Sequence, residues 1–132
     1  MLEKIRECAR GVQPELVRLR RDFHMHPELA WREVRTTRIL AELIEPLGFD
    51  IVQRGIHGTR SGLIAELSGG AGSGRTFALR ADIDALSLTE ETGAEYASRP
   101  DGVSHACGHD AHAAMLLGAA KVLSRFRDSL RG

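Results

Sequence analysis

Apolar positions recur with helical spacing at both ends of the chain, while the middle has the texture of short strands and turns. Pro14 suits a first helical position, and Leu16, Val17, Leu19, Arg20 and Phe23 carry a mostly apolar stripe beyond it. Pro27 ends that helix, because a residue before proline is steered out of the helical region. A second helix is expected from about Glu33 to Leu47, burying Ile39, Leu40, Leu43, Ile44 and Leu47. Pro46 should tighten its last turn, and Gly48 can take the left-handed terminating conformation. Eight of the 14 glycines then fall between Gly48 and Gly74, which favours strands joined by tight turns. Phe49 to Gln53, Gly62 to Leu67 and Thr76 to Asp82 are the candidate strands, the third apolar enough to be covered on both faces. Gly69 to Gly74 is expected to be a flexible hairpin loop. From Ala111 to Phe126 a last helix places Met115, Leu116, Ala119, Ala120, Leu123 and Phe126 on one apolar side. The order helix, helix, strands, helix predicts an α/β layer architecture.

Composition and charge narrow the function classes. The 132 residues fit one domain, and 42% hydrophobic with 27% charged residues is ordinary for a globular protein. Lys plus Arg and Asp plus Glu both number 18, so no net field gathers nucleic acid or an anionic membrane. No stretch approaches the ~20 apolar residues that span a bilayer, and Met1 to Cys8 has no signal-peptide apolar core. Cys8 and Cys107, almost a full chain apart, form no disulfide framework, so a reducing cytoplasm is the expected compartment.

The chemistry concentrates in His105-Ala106-Cys107-Gly108-His109-Asp110-Ala111-His112, which holds three of six histidines, a thiol and a carboxylate ahead of a helix. Cys107 and His109 flank one glycine, which lets the backbone bend so that both side chains face one point. A thiolate and an imidazole suit zinc-like divalent metals, and a bound cation would favour the thiolate form. A purely structural arrangement explains the spacing equally well: Asp110 caps the helix, His105 and His112 are solvated, and Cys107 fills the core.

Asp82 and Asp84 leave the third candidate strand two residues apart, pointing to the same side. Ligands of open α/β sheets bind beyond such strand ends, although the same pair can simply mark an exit into a turn. His24 and His26 share no helix face, so helix-end packing is their default reading, and Trp31 is expected to be a core or interface anchor. Gly69 to Thr76 resembles a phosphate-binding loop with Arg75 in place of lysine, but a strand rather than a helix is expected after it. Nucleotide binding is therefore disfavoured.

At these residues the sequence resembles the metal-dependent amidohydrolases of the hippurate hydrolase, N-acyl-amino-acid and indole-acetyl-amino-acid hydrolase type, related to the aminoacylase and carboxypeptidase metalloenzymes. The matching segments are Leu19 to Leu29, Ala78 to Leu86, Glu91 to Gly93, Tyr96 to Ser98 and His105 to Leu117, in the family's order. The resemblance implies the N-terminal part of a three-layer α/β/α zinc-peptidase-like catalytic domain, whose family members also carry a smaller dimerisation domain. It implies two divalent ions (Zn, Mn, Co or Ni) sharing a hydroxide that attacks the amide of an N-acyl amino acid. Cys107 and His109 match metal ligands, and Asp84 matches an aspartate that orients the site. Asp82 falls where related peptidases have a metal-binding histidine, and Ser87 departs from the family's usual proline.

The family's general-base glutamate, a neighbouring ligand and two further histidines would lie beyond Gly132 on this pattern. The expectation is a small-molecule amide hydrolase by lineage, homo-oligomeric in longer relatives, with the 132-residue chain inactive alone. A non-catalytic binding or interaction module built on the same fold is the alternative.

Overall fold

The computed structural model of the chain describes all 132 residues. Helix α1 runs from Leu2 to Met25 and α2 from Val34 to Ile44, followed by a 3-10 turn at Glu45–Leu47. Strands β1 (Asp50–Arg54) and β2 (Leu63–Glu66) form an antiparallel pair, and α3 runs from His109 to Arg125. Helix α1 therefore does not begin at Pro14 but passes through it. A proline inside a helix deletes one backbone bond, and the charged, helix-forming residues on either side carry the remainder. Gly48 ends the 3-10 turn with φ +82°, as its place after Pro46-Leu47 predicts.

The core lies where α3 crosses α1. Phe23 is fully buried on α1, and Asp110, Ala113, Ala114, Leu117 and Ala120 form the buried stripe of α3, the helix that α1 packs against. The hydrophobic pattern favours a stripe through Met115, yet Met115 is 61% exposed. The difference is one of size: close helix approach selects alanine and glycine, which weigh little in a hydrophobic pattern. Gly118 makes this concrete, since a Cβ there would lie 2.5 Å from Leu16 Cδ1. On α2 the fully buried residues are Thr36, Thr37 and Ala41, while Ile39, Leu40, Leu43, Ile44 and Leu47 are half-buried. The Thr37 hydroxyl accepts a bond from Gly62 N–H at 2.8 Å, joining α2 to the start of β2.

Thr76 to Asp82 does not form the expected third strand; it pairs with no other strand, and Phe77 and Leu79 are 80% and 60% exposed. Its apolar sequence expresses a preference for cover on both faces, but strand formation needs a non-local ladder partner as well. Nor is Gly69–Gly74 a free hairpin loop. Gly69 N–H donates to Gly132 O at 2.7 Å, Ala71 N–H to Leu130 O at 2.8 Å, and Gly132 N–H to Gly72 O at 3.0 Å. A Cβ on Gly74 would lie 2.6 Å from the Arg131 carbonyl carbon, so the glycines admit a close backbone neighbour. No helix follows this loop, consistent with the case against a phosphate site.

Past this segment two isolated bridges pair the chain with other segments, Leu29 with Ala85 and Leu86 with Ser104. Ala85 N–H donates to Glu28 O at 2.8 Å, and Glu28's carboxylate accepts from Arg35 and Thr36 N–H at 2.9 and 2.8 Å. The turn after α1, the start of α2 and the residues around Asp84 are thus tied together. Trp31, expected as a core or interface anchor, is not in the core: it is 60% exposed, with φ +67° and its ring edge-on to His57.

Candidate metal centre

Gly108 takes the left-handed conformation, φ +77°, as the N-cap of α3. His109 opens the helix and His112 lies one turn on, so the two share a face at i, i+3. Their rings stack with centroids 5.2 Å apart. Asp82 approaches from the extended segment, and Asp82, His109 and His112 each offer a ligand atom within 4.8 Å of the others.

Asp84 completes the arrangement from behind. His109 Nδ1 lies 2.9 Å from Asp84 Oδ1 and 3.0 Å from the Asp84 carbonyl oxygen. Both partners at Nδ1 are acceptors, so Nδ1 is the donor, and Nε2 is the ring nitrogen left to face a metal. Two imidazoles and a carboxylate are donors that divalent transition ions accept. On these observations the residues fit a metal ion. Asp82 also pairs with Arg80 at 2.6 Å, an exposed contact that a stronger cation could displace.

Of the four residues that the sequence nominated, Asp82, Asp84 and His109 come together here. Cys107 is exposed in the turn ahead of Gly108 and stands outside the three-residue donor group. His112 joins in its place. Its i, i+3 spacing from His109 at a helix start was the signal that could have nominated it.

On the opposite side of the same helical turn, Asp110 is buried at 1% exposure. Its Oδ2 takes His24 Nδ1 at 2.6 Å and Arg20 Nε at 2.9 Å, and its Oδ1 takes Ala111 N–H at 2.9 Å. His24 Nε2 meets Glu90 Oε1 at 3.1 Å, while Glu90 also accepts from Ser98 N–H at 2.6 Å and from the Thr92 hydroxyl. The Thr92 bond, followed by those from Ser98 and His24, outweighs burial and holds the Glu90 carboxyl down to about 2. Burial depresses the pKa of neighbouring His105, partly opposed by the negative charge of Asp110. No local pattern marks His24 as a buried ion-pair partner, since its partners lie 66 and 86 positions away.

The model for peptidase family M20/M25/M40 matches residues 78–132. An N-acyl-L-amino acid amidohydrolase of Geobacillus stearothermophilus is 42% identical over 130 residues, covering 98% of this chain and 34% of that protein. A thermostable carboxypeptidase of Saccharolobus solfataricus is 39% identical over 132 residues, covering all of this chain and 33% of the relative. An N-acetylcysteine deacetylase of Bacillus subtilis is 42% identical over 117 residues, 89% of this chain and 30% of its own length. Among solved structures, a dinuclear metal-binding peptidase of the M20 family from Bacillus subtilis superposes with a TM-score of 0.85 at 40% identity. That match covers 93% of this chain and 34% of the other. The chain spans about a third of the length of the curated relatives it matches.

Proposed function

Because this chain is a relative of the M20 metallopeptidases in sequence and in fold, we propose that it forms the N-terminal portion of a catalytic domain that hydrolyses amide bonds of N-acyl amino acids. The observation that carries the reading is the gathering of Asp82, His109 and His112 within 4.8 Å, with Asp84 on His109 Nδ1. Names borne by relatives, N-acyl-L-amino acid amidohydrolase and N-acetylcysteine deacetylase, support the substrate class.

In this reading Asp82, His109 and His112 hold a divalent ion, and Cys107 contributes a further donor through its exposed thiol. The Bacillus subtilis neighbour, described as dinuclear, supports a second ion, completed by groups outside these 132 residues. Such ions, when bound, polarise the amide carbonyl and ease deprotonation of water. Asp84 keeps the His109 proton on Nδ1, and the stacked His112 ring limits how far His109 can turn. Zinc, manganese, cobalt and nickel all suit this mixture of nitrogen, oxygen and sulfur donors.

Titration calorimetry of the purified chain with zinc tests the reading. We expect measurable binding that His109→Ala abolishes and Cys107→Ser weakens. Zinc binding unchanged in His109→Ala would overturn it.

A further inference from the structure

We propose that the partly buried network of Arg20, His24, Glu90 and Asp110 is a positioning device that sets the first turn of α3 so that His109 and His112 present their rings to Asp82. The proposal rests on the metal-binding reading above and assigns a role to residues which that reading leaves unused.

Asp110 sits between the two histidines in sequence but points the other way, into the protein. Its carboxylate is hydrogen-bonded to His24 at 2.6 Å and to the Ala111 N–H at 2.9 Å, and forms an ion pair with Arg20 at 2.9 Å. Arg20 and His24 are four residues apart on α1, hence on one face, so the ion pair and the hydrogen bond together constrain the height and the rotation of α3 against α1. His24 cannot swing away, because its other nitrogen is held by Glu90 at 3.1 Å. Glu90 in turn is anchored on the Ser98 backbone and the Thr92 hydroxyl. From the outer side Asp84 holds His109, so the turn is fixed from two directions.

Stability alone does not explain this arrangement. A buried ion network is often no more stabilising than apolar residues of similar volume, whereas fixing one arrangement is a role such networks can fill. A rotation of α3 by a fraction of a residue would keep Ala113, Ala114 and Leu117 buried yet carry both imidazoles away from Asp82.

The test is cobalt(II) titration of the purified chain, followed by visible absorption, with the fold of each variant checked by far-ultraviolet circular dichroism. Asp110→Asn should weaken cobalt binding by about 10–100-fold, the scale found when groups that orient a ligand are changed. It should also shift the ligand-field bands at saturation. Glu90→Gln, one bond further out and gentler on folding, should weaken binding to a smaller extent with the fold intact. Lys121→Met removes the 2.7 Å Lys121–Glu15 pair between the same two helices, away from the site, and should leave affinity and spectrum unchanged. Wild-type affinity and bands in folded Glu90→Gln and Asp110→Asn would overturn the proposal, as would an equal loss in Lys121→Met. The underlying metal reading fails separately, if His109→Ala binds cobalt as the wild type does.

Discussion

His109 Nδ1 meets Asp84 twice, at the carboxylate Oδ1 (2.9 Å) and at the carbonyl oxygen (3.0 Å), across 25 positions of sequence. The carbonyl contact survives any substitution at position 84, while the carboxylate contact does not. Asp84→Ala should therefore leave the Nδ1–H of His109 bonded to the carbonyl but the ring less firmly held. We expect metal affinity to fall by about 10-fold, at the lower end of the usual range for such partners, as read by zinc calorimetry. An unchanged dissociation constant would remove Asp84 from the site.

Acid stability should divide between two groups. Glu90 is held down to about 2 against an ordinary value of 4.5, so the unfolded chain binds its proton more readily than the folded one. Its stabilising contribution is complete above about 4.5 and is lost as pH falls toward 2. His105, with a pKa depressed below 6.5, contributes fully above that value and loses its contribution as pH falls beneath it. Thermal midpoints measured from neutral pH downward should decline in both windows. Glu90→Gln should flatten the lower window and His105→Gln the upper one; identical profiles for variants and wild type would contradict this account.

How much of this was legible beforehand depended on whether the decisive contacts were local. The end of α2 was readable because Pro46 and Gly48 act on their own turn. The His105–His112 segment was readable because its donors are adjacent, and the resemblance raised its standing further. A helix-capping role for Asp110 is one of the two readings its position allows; it does bond the Ala111 N–H, but its buried partners lie on α1. Nothing near His24 in sequence reveals that Asp110 and Glu90 will meet its two nitrogens. The segment Thr76–Asp82 failed in the other direction, because its composition was right for a strand while its pairing depended on distant chain.

Packing at the α1–α3 crossing gives a prediction that is independent of any metal. Gly118→Ala directs a Cβ at Leu16 Cδ1, the end of a side chain that can turn aside, while gaining helix propensity of about 1 kcal/mol. The two effects should nearly cancel. Gly118→Leu adds volume that this adjustment cannot absorb and should cost about 1–3 kcal/mol, the usual range for overpacking. Urea unfolding of both variants measures the difference, and equal midpoints would show that the helices are not in close contact here.

The final prediction concerns catalysis by these 132 residues alone. Three donors gather in the structure, whereas each zinc-like ion usually takes about four ligands, and two ions require correspondingly more. The chain also spans only about a third of the relatives whose names carry the activity. A general base typically contributes about 10²–10⁴-fold, and groups that act as one unit lose far more than a single contact when part of the unit is missing. On the proposed reading, remaining donors and the base come from residues outside this segment. The purified chain, supplied with zinc or manganese, should therefore hydrolyse N-benzoylglycine no faster than buffer, even where it binds the metal. Turnover of about 1 s⁻¹ or more, within the ordinary enzyme range, that disappears in His109→Ala would show that these residues are catalytically sufficient. Turnover that persists in His109→Ala would indicate a contaminating hydrolase, so the variant separates the two sources of any activity seen.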